Sequence, residues 1–348
     1  MKKRALALCL ALCLALCLAL CLLLTGCSGL LERSFISVEA HNENPVADGD
    51  NALRVENYQE LVNAVLYYVS HGEEAGAIRL YNYDHDVDAD LEAACLEVVQ
   101  EDPLGAYAVD YIKYEVGHIV SYYEAQVHIT YRRTAEQIAG VVSVPGSSAI
   151  RAELAEAMSQ LAEEQVLRIG SFDESAVNLD ELIREAYYAA PLASFGMPEV
   201  HYALYPAETP GRQRIVEVSL TYPDTPEALR EKQNALNERV RSMQAMLQGL
   251  SDEALARTAF AMVRDNAQAL PDGTGSGAYD ALVNNVADSE GLAFAVQLLC
   301  SLNGLECSVQ QDTTGSIPHF YNVIDWGNGT CVVDASRADG FGLPLQSG

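Results

Sequence analysis

The sequence is poor in cations. Lys and Arg number 21 among 348 residues, against 49 Asp and Glu, which gives a formal net charge of −28 at pH 7. Three of the cations lie in the first 26 residues, so the remainder carries 18 Lys and Arg against the same 49 acids, a formal charge near −31. A surface this acidic repels phosphate backbones and anionic headgroups. The composition therefore argues against nucleic acid as a partner.

Metal-binding cysteine motifs are also missing. Five of the nine cysteines lie within the first 27 residues, and the other four are Cys95, Cys300, Cys307 and Cys331. These four form no CxxC pair and no Cys/His spacing typical of zinc. The sequence therefore predicts neither a metal site nor a cofactor.

The one long apolar run lies at the N-terminus, in "MKKRALALCLALCLALCLALCLLLTGCSG". Three cations precede twenty apolar residues, Ala5 to Leu24, and small residues lead up to Cys27. This order is typical of an export signal, although twenty apolar residues could also span a bilayer as a retained helix. Because "LTGC" resembles a bacterial lipobox, we expect residues 1–26 to be a lipoprotein signal peptide. Cys27 would then carry diacylglycerol and anchor the chain to the extracellular face of the membrane.

After a lipid-anchored tether (27–54), the middle of the chain repeats itself. The segment "AIRLYNYD" returns as "VLRIGSFD" 89 residues later, and "EAQVHITYRRTAEQI" returns as "IVEVSLTYPDTPEAL" 91 residues later. A steady offset of this kind predicts two copies of one unit, at 55–143 and 144–226. Apolar periodicity in each copy indicates helix, strand, helix, strand, strand, with the helices on one face of an antiparallel sheet.

A row of acids in the first copy resembles a calcium loop. In "DHDVDADLE", aspartates occur at every second position from Asp84 to Asp90. An EF-hand loop starting at Asp84 requires glycine at its sixth position and glutamate at its twelfth, where this chain has Ala89 and Cys95. We therefore interpret the acids as residues at a helix N-terminus, where the helix dipole favours them.

The last third of the chain, 227–348, is predicted to contain two amphipathic helices, a Gly-rich loop, a third helix beginning near Ser289, and strands. The segment "PHFYNVIDWGNGTCVVDAS" reads as two strands around a Gly/Asn turn. A turn centred on residues 327 and 328 places Asp334 opposite Tyr321, with His319 two residues along the same face. A turn shifted by one residue would separate His319 and Asp334 by four residues. The first register brings a helix N-terminus, a His and an Asp together, the geometry of a nucleophile, its base and an orienting acid.

These residues resemble the bacterial transglutaminase-like superfamily, which has a papain-like Cys-His-Asp fold. Its usual pattern is a Cys followed by Glu-Gly-Tyr-Ala at a helix start, a His-Ala-Trp-Asn strand, and a strand ending in Val-Asp. The resemblance implies that Ser289 takes the place of the nucleophilic Cys, His319 that of the base and Asp334 that of the orienting acid. The flanking residues Glu290, Gly291, Ala293 and Asn322 match the pattern, whereas Leu292, Phe320 and Tyr321 depart from it.

The serine is the departure that decides the function. A hydroxyl is much harder to ionise than a thiol, and Asp288 and Glu290 beside it disfavour further negative charge. Three hypotheses follow for Ser289, His319 and Asp334. They form a silent site kept for binding, a working Ser-His-Asp hydrolase or acyltransferase, or a structural arrangement in which Ser289 only caps the helix.

The sequence thus predicts an α+β protein: two tandem α/β units with antiparallel sheets, then a transglutaminase-like α+β domain. Its expected role is binding of a peptide or cell-wall component at the cell surface by a pseudoenzyme. The four later cysteines are expected to be buried free thiols. Cys307 and Cys331 would lie roughly two strand spacings apart, about 9 to 10 Å, which exceeds the reach of a disulfide. A bridge from Cys300 to a strand cysteine stays open.

Overall fold

The structure, a computed structural model, describes residues 45–49, 52–172, 177–207, 213–326 and 329–343. The predicted signal peptide, the lipidation site Cys27 and most of the predicted tether lie outside these residues. Within these ranges, none of the helices combines the length and hydrophobicity needed to span a membrane. Mixed helices and sheets make the chain an α+β protein, as the sequence predicts.

The first part of the chain builds a five-stranded sheet in the order β1-β2-β3-β5-β4. Its strands are β1 (Val46–Ala47), β2 (Ala52–Val55), β3 (Ala75–Leu80), β4 (Val109–Ile119) and β5 (Tyr122–Tyr131). The helices α1 (Tyr58–Ser70), α2 (Val87–Gln100) and α3 (Pro103–Ala108) connect them, and α4 (Ala135–Ala139) follows β5. Because α1 to α3 turn their apolar side chains to the sheet, this part has an apolar core that includes Leu61, Ile78, Leu91 and Tyr107. The same core also takes in Val166 and Ile215 from further along the chain.

The second part builds a four-stranded sheet in the order β6-β7-β9-β8. Its strands are β6 (Val142–Val144), β7 (Glu164–Ile169), β8 (Glu199–Tyr205) and β9 (Arg214–Thr221). The connecting helices are α5 (Ser147–Ser159) and α6 (Leu179–Tyr188), and a short 3-10 helix spans Pro191–Ala193.

Both sheets are mixed, whereas the sequence predicts antiparallel sheets. In the first sheet β2 runs parallel to β3, and in the second sheet β6 runs parallel to β7. The other strand pairs of both sheets are antiparallel. A helix crosses between the two parallel strands, as parallel pairing requires. β2 and β6 have only four and three residues, too few to show a clear period of two. The two parts share strand order and direction, and a tandem duplication stays a prediction.

The last part contains α7 (Pro226–Gln244), α8 (Asp252–Asn266) and α9 (Ser289–Ser301), with a pair of two-residue strands, β10 (Gln268–Ala269) and β11 (Val286–Ala287). Its antiparallel sheet has the order β12-β13-β14-β15. Those strands are Glu306–Asp312, His319–Asp325, Thr330–Val333 and Phe341–Leu343. Nearly every residue of α9 is buried, because the helix lies between this sheet on one side and α8 and the 3-10 helix on the other.

One apolar core joins the second and third parts. It runs from Leu154 and Leu167 through Val240 and Phe260 to Phe294 and Ile324. The domain limits predicted at 143 and 226 stay predictions. Continuous packing across residue 226 means that side chains of the second part can reach the neighbourhood of α9.

The cysteines behave as predicted. Cys95, Cys300, Cys307 and Cys331 are all buried free thiols. Cys307 and Cys331 each lie opposite Ile324, so a whole strand separates them. Cys300 and Cys307 are hydrogen-bonded neighbours, and this contact together with burial raises the pKa of Cys307 well above its usual range.

The acid row at Asp84 to Asp90 forms a helix start, as interpreted. Asp86 is the N-cap of α2, and its carboxylate accepts hydrogen bonds from the backbone N–H groups of Asp88 and Ala89 at 3.2 and 3.3 Å. Asp90 accepts a hydrogen bond from the hydroxyl of Tyr83 at 2.8 Å. The side chains are thus used for capping and for a local hydrogen bond.

We expect Asp86→Ala to lower the free energy of unfolding by about 1 kcal/mol, because two N–H groups at the start of α2 lose their acceptor. Denaturant unfolding followed by circular dichroism measures the change. Exposed Asp84 is the matched control, and Asp84→Ala should change stability by less than about 0.5 kcal/mol. A calcium-dependent rise in the stability of the parent chain would instead favour the calcium loop.

Candidate functional site

Ser289 begins α9 but does not cap it. The N-cap is Asp288, whose carboxylate accepts hydrogen bonds from the Gly291 N–H at 3.2 Å, the Ser276 hydroxyl at 2.6 Å and the Gly275 N–H at 2.9 Å. Asp288 and Ser289 are both almost fully buried, each 2% exposed. The hypothesis that Ser289 serves as the helix cap is therefore wrong, since the residue before it has that role.

The hydroxyl of Ser289 is fully engaged by its neighbours. Its Oγ accepts a hydrogen bond from the backbone N–H of Phe320 at 2.9 Å. The Ser289 backbone N–H donates to Asp272 Oδ1 at 3.3 Å, and the hydroxyl also bonds the same carboxylate. Because Phe320 follows His319 on β13, these bonds fasten the start of α9 to the strand that carries the histidine.

The hairpin register places His319 beside Asp334, as predicted. Asn322 pairs with Val333, so Tyr321 stands opposite Asp334 and His319 lies two residues further along the same face. His319 Nε2 is 3.0 Å from Asp334 Oδ2. The other oxygen of Asp334 accepts hydrogen bonds from the N–H and hydroxyl of Ser336, at 3.0 and 2.6 Å. The carboxylate is therefore held in a fixed orientation towards the ring.

A second carboxylate, which the sequence does not predict, occupies the other side of the ring. Asp272 Oδ2 lies 2.7 Å from His319 Nδ1. The other oxygen of Asp272 contacts the Ser289 N–H, so this carboxylate bridges Ser289 and His319. In the sequence Asp272 sits within "LPDGTGSG", whose Pro-Asp-Gly order indicates a turn. A turn pattern of this kind does not indicate that the Asp272 side chain contacts His319.

Two carboxylates hold the imidazole in its charged form. The hydrogen bonds that His319 donates to Asp334 and to Asp272, opposed by burial, raise its pKa to about 9. Burial would raise the pKa of Asp272, but hydrogen bonds from Ser289 and His319 outweigh it and keep that pKa below its ordinary value. The pKa of Asp334 is lowered in the same way against its burial, by His319 and Ser336. At neutral pH the site is an imidazolium between two carboxylates.

Asn322 connects the strand that carries His319 to the helix that begins at Ser289. It is fully buried, and its side-chain amide donates to the carbonyl of Ala293 at 2.9 Å. This bond ties β13 to α9 one turn beyond Ser289. The family resemblance implies an asparagine after the histidine, and here its role is to hold helix and strand together.

One wall of the site comes from the second part of the chain. The Tyr188 hydroxyl, at the end of α6, donates to Glu290 at 3.2 Å, and its ring lies 5.6 Å from that of Phe294 and 5.8 Å from that of Phe320. Burial, together with the nearby Asp288 and against the Tyr188 hydrogen bond, raises the pKa of Glu290 to about 7. A carboxyl group that is half protonated near neutral pH thus lies beside Ser289.

The loop that carries Asp272 is fixed against the same part of the chain. The Ala278 N–H donates to the Ser194 hydroxyl at 3.0 Å, and Ser194 is fully buried. A Cβ atom on Gly277 would stand 1.3 Å from the Ser194 carbonyl oxygen. Only glycine permits this approach, so the loop and the second part form one packed surface.

Neither nitrogen of His319 is free to bind a metal ion, because each is paired with a carboxylate. Elsewhere in the described ranges, His, Cys, Asp and Glu side chains form no group of three or more arranged to hold a metal. The carboxylate oxygens of the site can accept hydrogen bonds from a ligand, whereas both N–H groups of the imidazolium are already paired.

Comparison with known proteins finds no matching family model and no matching curated protein. Among solved structures, the chain is similar to a TGase, with a TM-score of 0.28 and 13% identity over 53% of this chain and 54% of that chain. It is also similar to a protein from Cytophaga hutchinsonii proposed to be a cysteine protease, with a TM-score of 0.24 and 9% identity over 41% and 64% of the two chains. A third, proposed to be a protease from Parabacteroides distasonis, has a TM-score of 0.21 and 10% identity over 75% and 43%. The chain spans about half the length of these structures.

We expect the imidazole of His319 to titrate with a midpoint near pH 9 in the folded chain, and NMR of its ring protons against pH measures this. The raised pKa stabilises the folded state fully below about pH 6.5, and that stabilisation is lost as pH rises through about 9. Asp272→Asn should shift the midpoint down by at least about one pH unit, because one of two paired carboxylates is removed.

The matched control is Asp312→Asn. Asp312 lies on β12 opposite His319, is half-buried and acts on the imidazole through space, so its removal should shift the midpoint far less. A parent midpoint near the ordinary value of 6.5 would contradict the double pairing.

Gly277→Ala should lower the free energy of unfolding by about 3 kcal/mol, because the added methyl group collides with the Ser194 carbonyl. Thermal and denaturant unfolding measure the loss. Gly146→Ala is the control, since a Cβ there meets nothing within 4 Å. Equal stability of the two variants would show that the loop does not pack on Ser194.

Proposed function

We propose that this chain is an exported lipoprotein whose last third is a catalytically silent transglutaminase-like module, used to bind a peptide or cell-wall component at the cell surface. The observation that carries this proposal is the carboxylate of Asp272 between Ser289 and His319. One oxygen of this carboxylate accepts a hydrogen bond from the Ser289 N–H, and the other is paired with Nδ1 of the expected base.

Catalysis by Ser289 would need a base with a free lone pair. His319 is protonated up to about pH 9, and each of its nitrogens is paired with a carboxylate. Asp272 is the remaining acceptor of the hydroxyl proton, and its lowered pKa makes it a weak base. These observations favour silence over the Ser-His-Asp hydrolase or acyltransferase, which requires the hydroxyl to meet the imidazole directly.

Asp272 also accounts for the loss of the thiol. In a thiol enzyme the imidazolium is paired with a thiolate, and the ion pair stabilises both partners. Here the carboxylate supplies the negative charge beside His319 Nδ1, and the serine supplies a neutral hydrogen-bonding group. The electrostatics of the family site are retained without a nucleophile, as expected of a module kept for binding.

A binding role is supported by the partly open wall of the site. Tyr188, Glu290 and His319 all retain some exposure, and they offer an aromatic face, a carboxyl group and an imidazolium close together. Aromatic surface with a few fixed polar groups is typical of ligand sites. Anchoring through lipid on Cys27 would hold this site near the cell wall. The acidic surface of the chain would repel nucleic acid and anionic lipid.

The first test is chemical labelling of the full chain, followed by intact mass. The parent should not react with a serine-directed fluorophosphonate. Ser289→Cys should react slowly with iodoacetamide because Asp272 opposes a thiolate. Ser289→Cys combined with Asp272→Asn should react at least about tenfold faster at neutral pH, since the imidazolium then pairs with the thiolate.

Two controls accompany the labelling. Adding His319→Ala to the double variant should abolish the gain, and replacing Asp272→Asn with Asp312→Asn should give none. The native cysteines, four of them buried in the described part of the chain, define the background in the parent. Labelling of the parent by the fluorophosphonate, lost in Ser289→Ala and His319→Ala, would establish a working serine enzyme and refute the silent module.

Binding is tested by titrating the full chain with soluble cell-wall peptide fragments while following the His319 ring protons by NMR. We expect saturable shifts in the parent and weaker binding by at least about tenfold in Tyr188→Ala, which removes the aromatic wall. Tyr222→Ala is the control, because this half-buried tyrosine directly follows β9 and its hydroxyl donates to the Ala162 carbonyl rather than to a residue of the site. Unchanged ring signals at all fragment concentrations would argue against a peptide ligand at this site.

A further inference from the structure

β4 forms an open edge of the first sheet. Within the described residues it pairs with β5 alone, over its length of eleven residues. Tyr111 is 44% exposed and Val116 is 39% exposed, which is high for apolar strand residues. A long edge strand with exposed apolar side chains offers backbone groups to another strand.

The backbone groups that face outward on β4 can be identified from its neighbours. The Ile129 N–H of β5 donates to the Glu74 carbonyl, so the odd-numbered residues of β5 bond towards β3 and its even-numbered residues bond towards β4. On β4 the residues opposite those even-numbered residues are odd-numbered, such as Lys113 opposite His128. The N–H and C=O groups of Ile112, Tyr114 and Val116 therefore point to the free edge.

The sequence of this edge is complementary to itself. In an antiparallel pair of two copies centred on Tyr114, Lys113 of one copy faces Glu115 of the other, and the reverse, which gives two opposite-charge pairs. Ile112 faces Val116, and Tyr111 faces Gly117, whose Cβ position has nothing within 4 Å. Each position from 111 to 117 thus meets a compatible partner.

Other registers lose this match. Centring the pair on Lys113 sets two lysines against each other, and centring it on Glu115 sets two glutamates against each other. If one strand slides along the other by one residue, or by any odd number of residues, the outward-facing N–H and C=O groups of one copy lie opposite inward-facing groups of the other. Such groups cannot exchange hydrogen bonds. The Tyr114-centred register therefore has both the hydrogen bonds and the charges in its favour.

We propose that β4 is a homodimer interface, in which two copies of this chain join their first sheets through antiparallel β4 strands about a two-fold axis at Tyr114. The partner is a second copy because the charge and size pattern of the edge complements itself. The two copies form one continuous ten-stranded sheet with their helices on the same face. This interface is independent of the function proposed for Ser289.

The test uses the full chain in mild detergent and native mass spectrometry over a dilution series. The parent should be a dimer that dissociates on dilution. Lys113→Glu alone and Glu115→Lys alone should each raise the dimer dissociation constant by at least about tenfold, because two like-charge pairs replace two opposite-charge pairs. The double variant Lys113→Glu/Glu115→Lys should restore the dimer, since the charges again oppose each other.

A mixture of the two single variants gives a second readout. Tagged Lys113→Glu should capture untagged Glu115→Lys, while neither single variant captures its own kind. Glu199→Lys, at the exposed edge strand β8 of the other sheet, matches the charge change of Glu115→Lys and should leave the dimer intact. A monomeric parent throughout the dilution series, or dimers insensitive to both charge reversals, would overturn the proposal.

Discussion

A single imidazolium between two carboxylates is the interaction on which the site depends. Asp272 and Asp334 lie within 3.0 Å of the two nitrogens of His319. The pairing stabilises the charged forms of all three groups, so the pKa of the histidine is raised and the pKa values of both aspartates are lowered. The two carboxylates come from different segments, a loop ahead of α9 and the end of β14. Their shared partner therefore joins the loop, the helix start and the sheet into one rigid arrangement.

The buried N-terminus of α9 depends on the same arrangement. Its first N–H groups point into the protein, where water cannot satisfy them, so carboxylates must. Asp288 takes the Gly291 N–H and Asp272 takes the Ser289 N–H. Asp272 thus serves helix and histidine at once. A reactive thiol would have to compete with this carboxylate for the same imidazolium, which is why the presence of Asp272 and the absence of a cysteine are physically consistent.

Much of this arrangement could be predicted from the sequence, and the exceptions have physical causes. The proximity of His319 and Asp334 followed from one of two possible turn registers, and the structure has that register. Asp272 was not predictable, because a Pro-Asp-Gly segment indicates a turn whatever its side chain contacts. Tyr188 was not either, since 102 residues separate it from Glu290 and only tertiary packing joins them. The hypothesis that Ser289 caps α9 was open in the sequence because Asp288 and Ser289 are adjacent and both residue types are good caps.

The origin of Tyr188 bears on how the site can be inherited. The aromatic wall belongs to α6, whereas the ionised groups belong to the last third of the chain. A genetic rearrangement that moved the C-terminal segment alone would carry the ionised groups with it and leave Tyr188 behind. Glu290 would then lose its hydrogen bond, and Phe294 and Phe320 would lose an aromatic neighbour. The surroundings of Ser289 are therefore a property of the whole chain and change whenever the upstream segment is exchanged.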